Sequence, residues 1–397
     1  MNKDQRYILI VLTLINFFNY LDRQVIFPLF GHIKADFGVT DFELGLLGTV
    51  FMLVHSLASL PLGLAADKYS RKKIIGLGVL FWSAASFTSG LARSFYQLLF
   101  VRGAVGIGEA AYAPAATAMI SDNFPEEKRA SMQSWFNSGM FIGGTLGAMI
   151  GGIIGFYFNN WRLAFFLVSI PGIILALSCF SLKDQRLEST HENLKPLELL
   201  KVPAYFWLLV GGTLSTFASG AYISWGVEFV ARFKGYNLRD ASLILGITMM
   251  LAGVVGVFLG GFFADWLHKK HAWGRSITVA ASQLLAVPFM FLGLAAGRGL
   301  WFLLFFFVGV VFLSFYYGPA TAVMHDTVPQ RLWATAFAVY ILVIHLLGDT
   351  LAPAVIGRIS DTYNLLVGLQ VATVFVGLAG VAFLVMAKHV GNRDQEA

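Results

Sequence analysis

Gly63-Leu-Ala-Ala-Asp67-Lys-Tyr-Ser-Arg71-Lys-Lys closes the second long apolar run of this chain, and its reading decides the fold. A glycine permits close packing of helices. A carboxylate at a helix junction can face the positive N-terminal end of a neighbouring helix. The cations that follow hold a loop on the cytoplasmic side of a membrane. The step recurs 198 residues later as Gly261-Phe-Phe-Ala-Asp265, again followed by Lys269, Lys270 and Arg275. Asp122-Asn-Phe-Pro125 and Asp326-Thr-Val-Pro329 repeat at an offset of 204, with Tyr112 and Tyr316 in the same register. A period of half the chain predicts two similar bundles.

Around these motifs the composition is that of a membrane protein. Of 397 residues, 57% are hydrophobic and only 13% charged, which excludes an ordinary soluble domain. The apolar runs number about twelve, each near the roughly 20 residues that span a bilayer. The expectation is an all-α membrane protein of twelve transmembrane helices in two six-helix bundles. An even number of helices per half makes the repeats parallel, related by an axis along the membrane normal. The bundles are placed at residues 1–182 and 203–397, joined by a polar cytoplasmic linker at 183–202, with a central cavity lined by the first, fourth, seventh and tenth helices.

The charge of +6 would point to nucleic acid in a soluble protein. Here the cations alternate between loops instead. Lys68, Arg71, Lys72, Lys73, Lys128, Arg129, Lys183, Arg186, Lys269, Lys270, Arg275 and Arg331 fall on one side. The other side keeps Lys34, Arg93, Arg162, Arg298, Arg358 and a small cluster at Arg232, Lys234 and Arg239. By the positive-inside pattern both termini are cytoplasmic, and the partner is a bilayer rather than a nucleic acid. The one cysteine, Cys179, allows no intrachain disulfide. The first apolar run lacks a small-residue cleavage site before Asn16 and Asn19, so it reads as a retained helix of about Tyr7 to Phe30.

Charges inside the apolar runs mark the candidate site. Arg102-Gly-Ala-Val-Gly-Ile-Gly-Glu109-Ala-Ala-Tyr112 sits within the fourth run. Ionisable groups at that depth are costly and face a cavity or each other. Arg102 and Glu109 share a helix face about 10 Å apart, so a third group has to bridge them, and Asp22 of the first helix is at a suitable depth for Arg102. A structural ion pair is the competing reading. Asn19 and Arg23 share a face of the first helix, from which Asp22 diverges. His55, His345 and Asp349 are secondary candidates, with a satisfied packing histidine the competing reading for His55 and a hydrogen-bonded structural carboxylate that for Asp349. The fifth helix carries Gly139, Gly143, Gly147, Gly151 and Gly155, one stripe that lets another backbone approach, whether to slide or to pack statically. Trp225 and Glu228 occupy the seventh helix, and the tenth is rich in aromatics from Phe302 to Tyr317.

Taken together these residues resemble the major facilitator superfamily. Within it, Asn19-Tyr-Leu-Asp22-Arg23, the Arg102–Tyr112 stretch, Ile120-Ser-Asp122 and His345-Leu-Leu-Gly348-Asp349 through Pro353, Gly357 and Ile359-Ser-Asp361 resemble the Spinster family. The sequence departs from that pattern at Gly226-Val227-Glu228, where relatives often carry a proline. Anion:cation symporters share the features of the first and fourth helices; the eleventh-helix motif favours Spinster. The resemblance implies proton-coupled transport of an amphiphilic lipid, lysophospholipid or sphingolipid-like, by alternating access. The alternative is a proton-coupled carrier of small organic anions, with Arg23 and Arg102 holding a carboxylate.

No Ser-His-Asp, metal-ligand or phosphate-loop arrangement stands out, so an enzyme is not expected, nor a cofactor or metal. A receptor has no need of duplicated loops and mid-depth charges, and a channel requires a polar path that the second half lacks. The expected assignments follow. Asp22 and Glu109 are protonation sites, with Arg102 tuning both. Arg102, Asn19, Tyr112, Tyr316 and Trp225 are expected to bind substrate. Gly63, Asp67, Arg71 and Asp265 are expected to gate the cytoplasmic side. The protein is expected to act as a monomer in the inner (plasma) membrane.

Overall fold

A computed structural model describes residues 1–183, 196–271, 273–329 and 332–396, leaving out side chains at residues 67, 126, 127, 129–131, 134, 141, 196–198, 334 and 391–396. Residues 184–195 of the expected linker, Arg186, Arg331 and the side chains of Asp67 and Arg129 therefore lie outside the description.

The first and third helices begin where the sequence offers capping boxes. Asn2 and Gln5 form a reciprocal capping box that opens α1, Lys3–Val25, satisfying N–H groups that a helix start leaves unpaired. The first helix was expected to continue to Phe30. It stops five residues earlier because Pro28 forces a 3-10 turn at Phe27–Leu29, after which α2 runs Phe30–Phe37. Thr40 and Glu43 repeat the capping box at α3, Asp41–Lys68. Then follow α4 (Arg71–Ser89), α5 (Phe95–Asn123), α6 (Glu126–Phe158) and α7 (Arg162–Cys179). The second half comprises α8 (Pro203–Lys234), α9 (Leu238–His268), α10 (Gly274–Ala295), α11 (Leu300–Ser314), α12 (Tyr317–Thr327), α13 (Trp333–Ile344), α14 (Ala352–Thr362) and α15 (Leu365–Glu396). α11 and α12 together make one span, as do α13 and α14. A π-helical turn at His345–Asp349 separates the latter pair.

Ten of these spans are long and apolar enough to cross a membrane. α4 and α5 complete the twelve expected; neither is apolar enough on its own. The reason is legible: α4 starts with Arg71-Lys72-Lys73, and α5 contains Arg102, Glu109 and several small residues. Large apolar side chains stay uncovered along the helices, Phe100 at 79% and Phe258 at 76% exposed, as a lipid solvent allows. The chain forms two compact units. One holds α1–α7 with Tyr236–Gly246, and the other holds α8 and the chain from Ile247 onward.

In the first unit the glycine stripe of α6 meets the backbone of α1. A Cβ at Gly143 would lie 2.1 Å from the Phe17 carbonyl oxygen, one at Gly147 2.4 Å from that of Leu21, and one at Gly151 2.4 Å from that of Val25. Only glycine fits at such separations. α5 is inserted between α3 and α4 by the same means. A Cβ at Gly106 would meet the Phe51 carbonyl at 2.6 Å, and one at Gly108 the Trp82 backbone nitrogen at 2.7 Å. Close packing was also expected at Gly63. Here the structure differs: a Cβ there would find only Pro114 at 3.7 Å, and one at Gly261 nothing within 4 Å. Within each unit these two glycines are therefore not explained by a tight helix contact.

Candidate functional site

Three contacts set the direction of α1 against α5. The Gln5 amide donates to the Asn123 carbonyl at 2.7 Å, the Tyr112 hydroxyl to the Leu12 carbonyl at 3.1 Å, and Asp22 faces Arg102. Rising numbers in one helix meet falling numbers in the other, so the two run antiparallel. Helical side chains lean toward their own N-terminus. Arg23 therefore reaches back along α1, while Glu109 and Arg102 lean toward the start of α5.

Two ion pairs result. Arg23 Nη2 is 3.1 Å from Glu109 Oε2, and Arg102 Nη1 is 3.8 Å from Asp22 Oδ2. Asp22 was expected to bridge Arg102 and Glu109. Instead Glu109 takes Arg23 as its cation, because the backward lean of both side chains closes the gap along the axes. Asp22 and Arg23 diverge at their Cα atoms yet serve one cluster, since arginine is long enough to turn back. Asp22, Arg102 and Glu109 are each at most 2% exposed, and the four charges sum to zero. The Ser86 hydroxyl of α4 donates to Asp22 Oδ1.

The cluster is incompletely satisfied. Arg102 Nε and Nη1, Asp22 Oδ2, Glu109 Oε1 and Asn19 Nδ2 are buried without a hydrogen-bond partner among the described residues. Each such atom costs about 1–3 kcal/mol. A purely structural ion network would be expected to close these bonds.

The other nominated residues are placed differently. Tyr112 is buried with its hydroxyl on α1, and Trp225 is buried with its indole N–H on the Pro353 carbonyl at 2.9 Å. Tyr316 is buried and accepts from the Tyr340 hydroxyl at 2.9 Å. The structure brings Asp22, Arg23, Arg102 and Glu109 together in the first unit, where Asn19 is buried on α1; Tyr316 and Trp225 lie in the second. His55 follows Phe51 by one turn of α3, its ring centroid 6.0 Å from that of Phe51. His345 Nδ1 is 2.9 Å from Asp349 Oδ2 across the π-helical turn, and Asp349 Oδ1 has no hydrogen-bond partner among the described residues. Arg71 pairs with Asp122; Arg275 holds Asp265 at 3.0 Å and Asp326 at 2.9 Å. The sequence offers Arg23 as a cation for a substrate carboxylate in the organic-anion reading, not as the partner of Glu109, and it carries no signal for Ser86 or Phe51.

Twelve spans in two units, the first of which holds a cluster of buried charges, fit the secondary-transporter class. Residues 12–353 match the family model described as Major Facilitator Superfamily. The chain is 30% identical to protein spinster homolog 1 of Xenopus laevis, over 89% of this chain and 72% of that protein. It is 29% identical to the Rattus norvegicus homolog 1, over 98% and 82%. Against protein spinster of Drosophila melanogaster it is 29% identical over 90% of its own length, and it spans only 62% of that relative. Among solved structures it resembles a bacterial homologue of the human lysosomal transporter Spinster in an inward-facing, unoccupied conformation. The TM-score is 0.87, with 24% identity over 99% of each chain. The nucleoside transporter NupG shares the fold at a TM-score of 0.78 and 13% identity, over 96% of this chain and 99% of that one. The chain belongs to the Spinster family of the Major Facilitator Superfamily, a family of secondary transporters rather than enzymes.

Proposed function

We propose that this transporter couples protons to an amphiphilic substrate with an anionic head group, a lysophospholipid or sphingolipid-like molecule, by alternating access. The observation that carries the reading is the cluster of buried Asp22, Arg102 and Glu109 with part-buried Arg23, neutral overall, and left with buried donors on Arg102 and Asn19 that lack a hydrogen-bond partner among the described residues. Burial disfavours the charged form of a carboxylate, and an adjacent arginine favours it. Occupancy by a proton then depends on where the arginine is. An anion arriving at Arg102 competes with Asp22 for the guanidinium, and releasing the carboxylate favours its protonation. Substrate and proton are thereby linked through a contested cation. Tyr112, Tyr316 and Trp225 serve in this reading as walls, since their polar atoms are already engaged. The two bundles, 1–182 and 203–397, move about the linker as a monomer in the plasma membrane with both termini cytoplasmic.

The test is proteoliposome transport with an internal pH dye, offering lysophospholipids and small organic carboxylates in parallel. Substrate-dependent proton flux is expected with the lipids, to be lost in Glu109→Gln and Asp22→Asn. Flux with carboxylates alone favours the organic-anion carrier. Unchanged pH dependence in both neutral variants would sink the coupling site.

A further inference from the structure

Phe51 of α3 touches both ion pairs. Its ring centroid lies 5.0 Å from Cζ of Arg23 and 5.0 Å from Cζ of Arg102. The side chain is 2% exposed. Its backbone is also held against α5, because Gly106 lets that helix approach the Phe51 carbonyl. Arg23 also has the Tyr20 ring at 4.7 Å. Arg102 has a 3.8 Å ion pair to Asp22, and its Nε and Nη1 have no hydrogen-bond partner among the described residues.

We infer that Phe51 is a positioning residue, a shared and non-titrating partner for Arg23 and Arg102 that sets how readily each arginine leaves its carboxylate. The inference rests on the proton-site reading above. A carboxylate attracts its arginine only while ionised. The quadrupole of a benzene ring attracts a guanidinium whatever the state of the carboxylate, and a guanidinium released from its carboxylate can settle closer onto the ring than one held by it. When Glu109 or Asp22 takes a proton, the buried cation beside it loses its counter-charge but keeps the ring. The ring thus makes the protonated state less costly than an aliphatic side chain would, and it does so for both pairs. It also gives the two like charges a common surface between their separate carboxylates. The charged and titratable groups facing it are Tyr20, Asp22 and Arg23 of α1, His55 of α3, and Arg102 and Glu109 of α5. The polar contact from α4 is Ser86, which does not titrate in the working range.

The experiment follows the protonated-carboxyl stretch of the purified full chain in lipid nanodiscs by infrared pH titration. Glu109→Gln and Asp22→Asn assign the bands. Phe51→Leu removes the π face at similar volume and should move the midpoint to lower pH by about half to one unit. Phe51→Tyr should keep the wild-type midpoint. Mono-, di- and trifluorophenylalanine at position 51 should produce a graded shift in the acid direction, and they preserve the ring's shape should Phe51→Leu fail to fold. A titrating wild-type band that stays fixed across the fluorinated series overturns the role of Phe51 and leaves the proton site standing. A wild-type protein with no Glu109 or Asp22 band overturns the proton-site reading, and the role of Phe51 with it.

Discussion

At the scale of single residues, the arrangement turns on Arg23 rather than on Arg102 alone. Glu109 is fully buried, and its cation reaches it from another helix. Removing one member of such a pair leaves an uncompensated charge, a loss of about 3–5 kcal/mol, whereas removing both leaves none. Arg23→Gln is therefore expected to lower the thermal unfolding temperature strongly, and Arg23→Gln with Glu109→Gln to recover most of the loss. Scanning fluorimetry of the two single variants and the double variant decides it. Strictly additive effects would mean that the 3.1 Å contact is incidental. Asp22, Arg102 and Glu109 were legible in the sequence because charge inside an apolar run is conspicuous. Ser86 was not, because a serine in a helix looks the same whether or not it meets a carboxylate.

At the scale of elements, α1 owes its position to the α6 glycines. A Cβ at Gly147 would sit 2.4 Å from the Leu21 carbonyl oxygen, one residue before Asp22, while a Cβ at the neighbouring Gly144 would meet only Gln24 at 3.7 Å. Gly147→Ala should therefore destabilise by about 1–3 kcal/mol, as overpacking does, and Gly144→Ala should be close to neutral. Comparing the unfolding temperatures of the two variants tests the seam; equal values would show that α1 and α6 separate freely. The spacing of four was visible in the sequence. Its partner was not, since a glycine stripe fits any helix presented to it. The π-helical turn at His345–Asp349 is likewise a product of packing. Gly220 of α8 approaches the Asp349 Cβ, and Gly348 approaches the Thr213 carbonyl.

At the scale of the whole molecule, the internal repeat reappears as two matched ion pairs. Arg71–Asp122 and Arg275–Asp326 sit 204 residues apart in both members, each pair within its own unit. Arg275 also holds Asp265, the last residue of the second Gly-x-x-x-Asp step. We propose that Asp67 and Asp265 act with Gly63 and Arg71 as the cytoplasmic gate, favouring the outward-open state. Asp67→Ala should then lengthen the distance between spin labels at Tyr69 and His271. A distance distribution unchanged by the substitution assigns Asp67 a purely structural role.

The sequence by itself determined the membrane class, the two-fold repeat, the twelve spans and the three buried charges Asp22, Arg102 and Glu109. Each of these is written in local composition or in a fixed period: apolar length against bilayer thickness, charge inside an apolar run, and a motif repeated at half the chain. The pairing of those charges was decided only by tertiary structure. Which carboxylate meets which arginine depends on the register of α1 against α5 and on the backward lean of helical side chains. That register is seen in the contacts of Gln5 with Asn123 and of Tyr112 with Leu12, while the glycines hold α1 against α6 and α5 against α3 and α4. Residue spacing along one helix carries no information about the rotation and height of the helix beside it, and so Phe51 came to lie between two arginines without any sign of it in the chain.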